Sequence, residues 1–206
     1  CDVSIRPGWF YHPEQDTMVK SPLQLVDLHY KSVGRNGVLL LNLPPDKRGI
    51  LHEADVASLK AYRNIIDSTF HTNLALGKVA SITTDKTNYR YAAREVTDGK
   101  SNTSWYPPTD KETEELVLDL GAEYAFDRIM LQEPIFLGQR ISHFTLYVKE
   151  ADEDWREIVA GTTIGYKRLL RIEEEKARFI KIVFSAEGIK PALSEIGVFH
   201  SADAEN

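Results

Sequence analysis

The chain is predicted to be α/β plus all-β, an N-terminal βαβα segment followed by an eight-stranded antiparallel β-sandwich. Three observations predict this. Strand and helix signals alternate up to about residue 72, whereas beyond it short β-runs follow one another with only turns between them. One N-terminal run, GVLLLNL at 37–43, is continuously apolar rather than alternating, as suits a strand buried on both faces of a parallel sheet. The 206 residues also accommodate two small domains. The boundary falls at 71–74, giving domains 1–72 and 73–206.

In the first domain, residues 2–11 (DVSIRPGWFY) begin as a short strand with Val3 and Ile5 on one face, break at Pro7-Gly8 and continue as an aromatic loop. Ser21-Pro22 then supplies an N-cap and a proline at the first helical position, Gln24 completes a capping box, and Val26, Tyr30 and Val33 recur at helical spacing up to Gly34. The strand at 37–43 is stopped by Pro44-Pro45-Asp46. Val56, Leu59, Tyr62, Ile66 and Phe70 then mark a last amphipathic helix over 53–70.

Two parallel strands cannot close a barrel, and a βαβα piece of this size leaves apolar strand faces without partners. Periodicity therefore points to a missing upstream portion. The alternative is a small unclosed α/β layer.

In the second domain the β-runs fall at 79–83, 116–120, 128–132, 144–148, 155–159, 167–172, 179–184 and 196–199. Several alternate, with Ile180, Ile182 and Phe184 on one face and Phe179, Lys181 and Val183 on the other. No repeat or low-complexity stretch interrupts them.

Composition narrows the function. A net charge of −6 offers no basic footprint for phosphate backbones, so nucleic acid is excluded as the expected partner and a neutral ligand such as a glycan fits better. No window approaches the roughly 20 apolar residues that span a bilayer, so membrane insertion is not expected. The single cysteine, Cys1, rules out an internal disulfide framework. The first ten residues carry no signal-peptide pattern, which is uninformative if the chain begins mid-protein.

CDVSIRPGWFYHP at 1–13 and LVDLHYKSVGRNGVLLLNLPPDKRG at 25–49 resemble the end of the catalytic domain of family 29 α-L-fucosidases, more narrowly the branch acting on α-1,3- and α-1,4-linked fucose of Lewis-type glycans. The resemblance implies that residues 1–72 are the C-terminal part of a TIM-like (β/α) barrel whose upstream remainder is their partner. It also implies retaining hydrolysis, in which an aspartate attacks the anomeric carbon and a second carboxylic acid, about 5–5.5 Å away, protonates the leaving oxygen. In that family both carboxylates lie upstream of the segment matching Cys1. No catalytic residue is therefore assigned here, and the 206-residue chain alone is expected to be inactive. Barrel enzymes bind substrate at the C-terminal ends of their strands, which places Arg6, Trp9, Tyr11 and His12 at the pocket mouth. Trp9 could stack on a deoxy sugar, and Arg6 or His12 could hydrogen-bond its hydroxyls. Alternatively, Trp9 and Phe10 only pack the loop, and His12 is solvated. Asn42 and Asp46 face the same rim, where turn formation around Pro44-Pro45 is their expected task.

NLALGKVAS at 73–81, VTDGKSNTSW at 96–105, LVLDLG at 116–121 and LSEIGVF at 193–199 resemble the discoidin-like, coagulation factor 5/8 type C family, whose bacterial members are galactose-binding-type carbohydrate modules. Taken residue by residue, the DGKSNTSW loop suits a hard cation: Asp98 offers a carboxylate, Gly99 a tight turn, Ser101 carbonyl oxygens, Thr103 a hydroxyl, and Glu195 a second carboxylate. The resemblance implies that loop and glutamate meet at a structural calcium. The alternative is an Asp-Gly turn held by its own hydrogen bonds, with Glu195 solvated. For accessory sugar binding the candidates are Tyr89, Arg90, Tyr91, Tyr106 and Arg140, with Phe136 beside them. Tyr89 and Tyr91 could instead cover the sandwich or dock it, with Trp105 and Trp155 as core or edge packing.

Three functions from different classes stand: the C-terminal part of an exo-α-L-fucosidase with an accessory sugar-binding module, a stand-alone lectin-like binder, and a purely structural β-sandwich appendage. The RPGWFYHP string favours the first. No organic cofactor is expected, and a periplasmic or secreted location follows from the resemblance alone.

Overall fold

A computed structural model describes residues 1–82, 93–107, 112–151 and 153–201. The chain divides into two compact units, Cys1–His71 with Ser201, and Thr72–His200.

The first unit runs β1 (Asp2–Ser4), α1 (Pro22–Lys31), β2 (Leu40–Asn42) and α2 (Glu53–Thr69). Helix α1 starts as its residues dictate: the Ser21 hydroxyl accepts from the Gln24 amide, the Gln24 side chain accepts from the Ser21 amide, and Pro22 follows the cap. It ends at Lys31 and not at Gly34, because the Ser32 hydroxyl donates to the Leu28 carbonyl at 2.6 Å and the Gly37 amide to the Ser32 carbonyl. β1 and β2 are parallel neighbours, Val3 opposite Leu41. Their C-terminal ends therefore point the same way, and loops 5–20 and 43–52 leave the same edge.

Two expectations need correction. The apolar run at 37–43 contributes only three residues of strand and is not buried on both faces, with Val38 at 79% and Leu40 at 63% exposure. In α2 the expected apolar stripe of Val56, Leu59, Tyr62, Ile66 and Phe70 is half-buried, and the fully buried positions are Asp55, Ser58, Ile65 and Thr69. The reason is that the buried polar side chains have partners within the unit: Asp55 binds Arg6 and the Ser58 hydroxyl donates to the Lys20 carbonyl.

The second unit is mostly antiparallel β-structure: β3 (Val79–Ile82), β4 (Thr113–Gln132), β5 (Ile141–Lys149), β6 (Arg156–Gly161), β7 (Arg168–Ala186) and β8 (Glu195–Phe199). They hydrogen-bond in the order β3-β4-β7-β5-β6, with β8 also on β4. The eight predicted runs thus form six strands, because 116–120 with 128–132, and 167–172 with 179–184, are continuous in β4 and β7. These two strands pair along their length with register shifts between Asp119 and Tyr124 and between Phe126 and Arg128. Gly121, at φ 84°, takes the first bend; the Asp119 carboxylate accepts its amide at 2.8 Å and two hydrogen bonds from Arg178. β3 and β5 extend one half of the ribbon and β8 the other, around one core.

The alternation on β7 is as expected, with Ile180, Ile182 and Phe184 buried. Trp105 is a core residue at 5% exposure, its ring edge-on to Phe184 at 6.0 Å. Trp155 is half-buried, with the Lys149 and Lys181 ammonium groups 5.1 and 4.9 Å from its ring.

Candidate functional site

Three places bear on function. The first is the edge of the βαβα unit where loops 5–20 and 43–52 emerge. There Arg6 is buried at 1% exposure, which corrects the expectation that it reaches into a pocket mouth. Its Nε donates to both Asp55 oxygens at 3.1 and 3.0 Å, its Nη1 to Asp16 at 2.9 Å, and its guanidinium carbon lies 4.8 Å from the centre of the Tyr11 ring. Burial opposes the charge, but hydrogen bonds to Asp55 and Asp16 outweigh it, and the Arg6 pKa is raised. Asp16 also accepts from the Tyr11 hydroxyl at 3.3 Å and lies 3.4 Å from His52 Nε2. Burial, reinforced by Asp16, raises the Tyr11 phenol pKa.

Trp9 and Phe10 project from this anchored loop at 52% and 79% exposure, so they do not pack it down within this chain. The Trp9 carbonyl accepts from the Asn42 side chain at 3.0 Å, and the Ser4 hydroxyl donates to the Gly8 carbonyl at 2.7 Å. His12 is exposed, 3.6 Å from Glu14. A cleft of about 250 Å³ runs between Tyr11, Pro13, Asp46, Lys47, Arg48, His52 and Glu53. Asp46 forms the turn: it accepts from the Arg48 amide at 2.7 Å and from its guanidinium at 2.6 Å, which holds its carboxyl below the usual range. Arg48 also bridges to Glu53 at 2.9 Å. Sequence reasoning missed Asp55 and His52, since neither belongs to a recognisable motif.

The second place is the 98–103 loop with the start of β8. The Asp98 carboxylate accepts from the Lys100 amide at 2.8 Å and lies 2.9 Å from the Thr103 hydroxyl, with Gly99 at φ 76°. That much is an Asp-Gly turn. Glu195, however, is not solvated: it is 3% exposed, and neither carboxylate oxygen accepts a hydrogen bond of good geometry, although the Gly99 and Lys100 amides face it. Burial, then the charge of Asp98, pushes its pKa up to about 7, with the Gly99 and Lys100 amides opposing. An orphaned buried carboxylate beside a second carboxylate fits a hard cation. Among the described residues no group of three or more His, Cys, Asp or Glu side chains gathers, so other ligands would be hydroxyl or carbonyl oxygens. Ser101 is exposed.

The third place is one end of the sandwich. Glu133, missed in the sequence, is 2% exposed and accepts from the amides of Arg140 (2.7 Å), Ile141 (2.9 Å) and Gly165 (2.5 Å), gathering two loops. Arg140 Nη1 donates to the Lys190 carbonyl at 3.0 Å, tying in a third loop. On these loops Phe136 is 70%, Tyr166 52% and Ile189 43% exposed, and Tyr106 is 43% exposed next to the buried Trp105. Tyr89, Arg90 and Tyr91 lie outside the described residues.

A family model for the F5/8 type C domain matches residues 78–195. The chain belongs to the F5/8 type C domain family. Over 204 residues it is 34% identical to alpha-L-fucosidase 1 of Arabidopsis thaliana, covering 97% of this chain and 40% of that protein. It superposes on the crystal structure of SpGH29 with a TM-score of 0.87 at 39% identity (98% of this chain, 43% of that one), and on the Ruminococcus gnavus GH29 fucosidase in complex with fucose with a TM-score of 0.89 at 34% identity (98% and 41%). The chain spans about two fifths of the length of the curated relatives it matches. Both units of this chain are covered by these matches. Among the described residues no helix is long and apolar enough to cross a membrane.

Proposed function

We propose that this chain is the C-terminal part of a retaining exo-α-L-fucosidase acting on α-1,3- and α-1,4-linked fucose of Lewis-type glycans, with the βαβα unit as the end of its barrel. The observation that carries the reading is that identity of 34–37% to proteins named as fucosidases extends over 97–98% of the chain and so includes the anchored loop that exposes Trp9. An F5/8 type C domain alone accounts only for 78–195. The half-buried apolar stripe of α2 and the exposed Val38 and Leu40 support an upstream partner, since such surfaces are normally covered. Hydrolysis would use the two carboxylates upstream of Cys1, while Trp9 offers its face to the sugar and Tyr11 and His12 border it. Arg6 would act only by holding that loop.

The F5/8 type C domain would serve as accessory sugar-binding module, with Tyr106 and Arg140 of the described loops and Tyr89, Arg90 and Tyr91 contributing. The exposed Phe136 and Tyr166 favour a ligand face there. A structural calcium would be held by Asp98, Thr103, carbonyl oxygen near Ser101, and Glu195, pinning the loop without entering the chemistry. A periplasmic or secreted location suits a glycan-degrading enzyme.

The test is a fucosidase assay on the full-length protein with Lewis-type trisaccharides and a β-galactoside control. Fucose release with the trisaccharides alone is expected. Glycan binding without release would favour the lectin-like reading, which the exposed loop aromatics would then explain.

A further inference from the structure

We propose that Asp55 is a positioning residue for substrate binding, acting through Arg6 on the loop that presents Trp9. The inference rests on the fucosidase reading above and deepens it.

Asp55 sits in the first turn of α2 with no solvent exposure, so it reaches the exposed aromatic loop only through a partner. Its two oxygens both accept from Arg6 Nε, at 3.1 and 3.0 Å, so the guanidinium is held against the helix. From there the guanidinium reaches two further points of the loop, Asp16 at 2.9 Å on its far limb and the Tyr11 ring at 4.8 Å. Trp9 lies between Arg6 and Tyr11 in the chain, its carbonyl fixed at 3.0 Å by Asn42. The indole is 52% exposed and the neighbouring Phe10 is 79% exposed. A large exposed ring on a loop this firmly pinned is pre-organised to meet a ligand, because little freedom remains to be lost on binding. A buried ion pair is in itself weak evidence of stabilisation, which leaves positioning as the task that accounts for its geometry.

The test is a double-mutant cycle in the full-length protein, with kcat and KM measured separately on a Lewis-type trisaccharide and folding checked by thermal melting. Trp9→Ala is expected to raise KM on the order of 10-fold with kcat changed by less than about threefold, and Asp55→Asn to raise KM about three- to tenfold in the same way. If Asp55 works through the Trp9 loop, the double variant stays within about twofold of Trp9→Ala alone, since the coupled pair is not additive. KM effects that multiply would overturn the proposal, as would a Trp9→Ala enzyme with unchanged KM. Should Asp55→Asn fail to fold, Asp16→Asn takes its place in the cycle; the Asp16 carboxylate that accepts from Arg6 is partly exposed, and the variant removes its charge from the anchor while leaving a carboxamide oxygen in the same place. A wild-type protein that releases no fucose would overturn the fucosidase reading itself, an outcome visible before any variant is made.

Discussion

Arg6 and Asp55 show how far a residue's identity can mislead about its task. An arginine beside Pro-Gly-Trp in a loop at a strand end has the chemistry of a hydroxyl donor, and only the fold reveals that Asp55, 49 positions away, consumes it. Removing one partner of a buried pair leaves the other charge uncompensated. Asp55→Ala is therefore expected to cost about 3–5 kcal/mol, measured by urea denaturation of the intact protein. Glu195 carries the second prediction. Its folded pKa of about 7 lies above its ordinary value of 4.5, so the folded state holds the extra proton. In chelator-treated protein the Glu195 contribution is complete below about pH 4.5 and is lost as pH rises through about 7, by about 3 kcal/mol at most. Denaturation across this range should show the decline in the wild type and not in Glu195→Gln. Saturating calcium should reverse the trend, since a bound cation favours the ionised carboxylate. The oxygen donors at 98–103 cluster in sequence and so could be named as candidates; the burial of Glu195 could not be read, because it depends on packing around β8.

Among the elements, local signals were most reliable where the determinants are local. The capping box of α1 lies within four residues and is present as predicted. The extent of β2 and the buried face of α2 were misjudged because both depend on which partner is present, and the apolar pattern alone cannot supply that. The two long strands were read as four because Gly121 and the neighbouring register shifts interrupt the alternation without interrupting the hydrogen-bonded ribbon. Close approach tests this packing. A methyl group on Gly161 would lie 2.5 Å from the ring of Phe144, which is itself buried and cannot swing aside. Gly161→Ala is expected to destabilise the sandwich by about 1–3 kcal/mol, read as a lower denaturation midpoint with an unchanged slope. Phe144→Leu in the same chain should recover part of the loss.

For the molecule as a whole, the question is what the two units belong to. The domain family follows from 78–195. The barrel reading proposed for the βαβα unit rests on its string of motifs, since three-residue strands and half-buried helix faces do not by themselves specify a barrel. With Val38 and Leu40 exposed, the 206-residue chain is expected to self-associate when produced alone, which size-exclusion chromatography would show as a broad, concentration-dependent peak. It should also release no fucose. The most direct test is to purify the protein from its native source, record its intact mass, and assay the same sample for fucose release from a Lewis-type trisaccharide. A mass well above the 23.4 kDa of this chain, together with turnover, is the predicted result. A mass of 23.4 kDa with no turnover would contradict it and leave a carbohydrate-binding protein in its place.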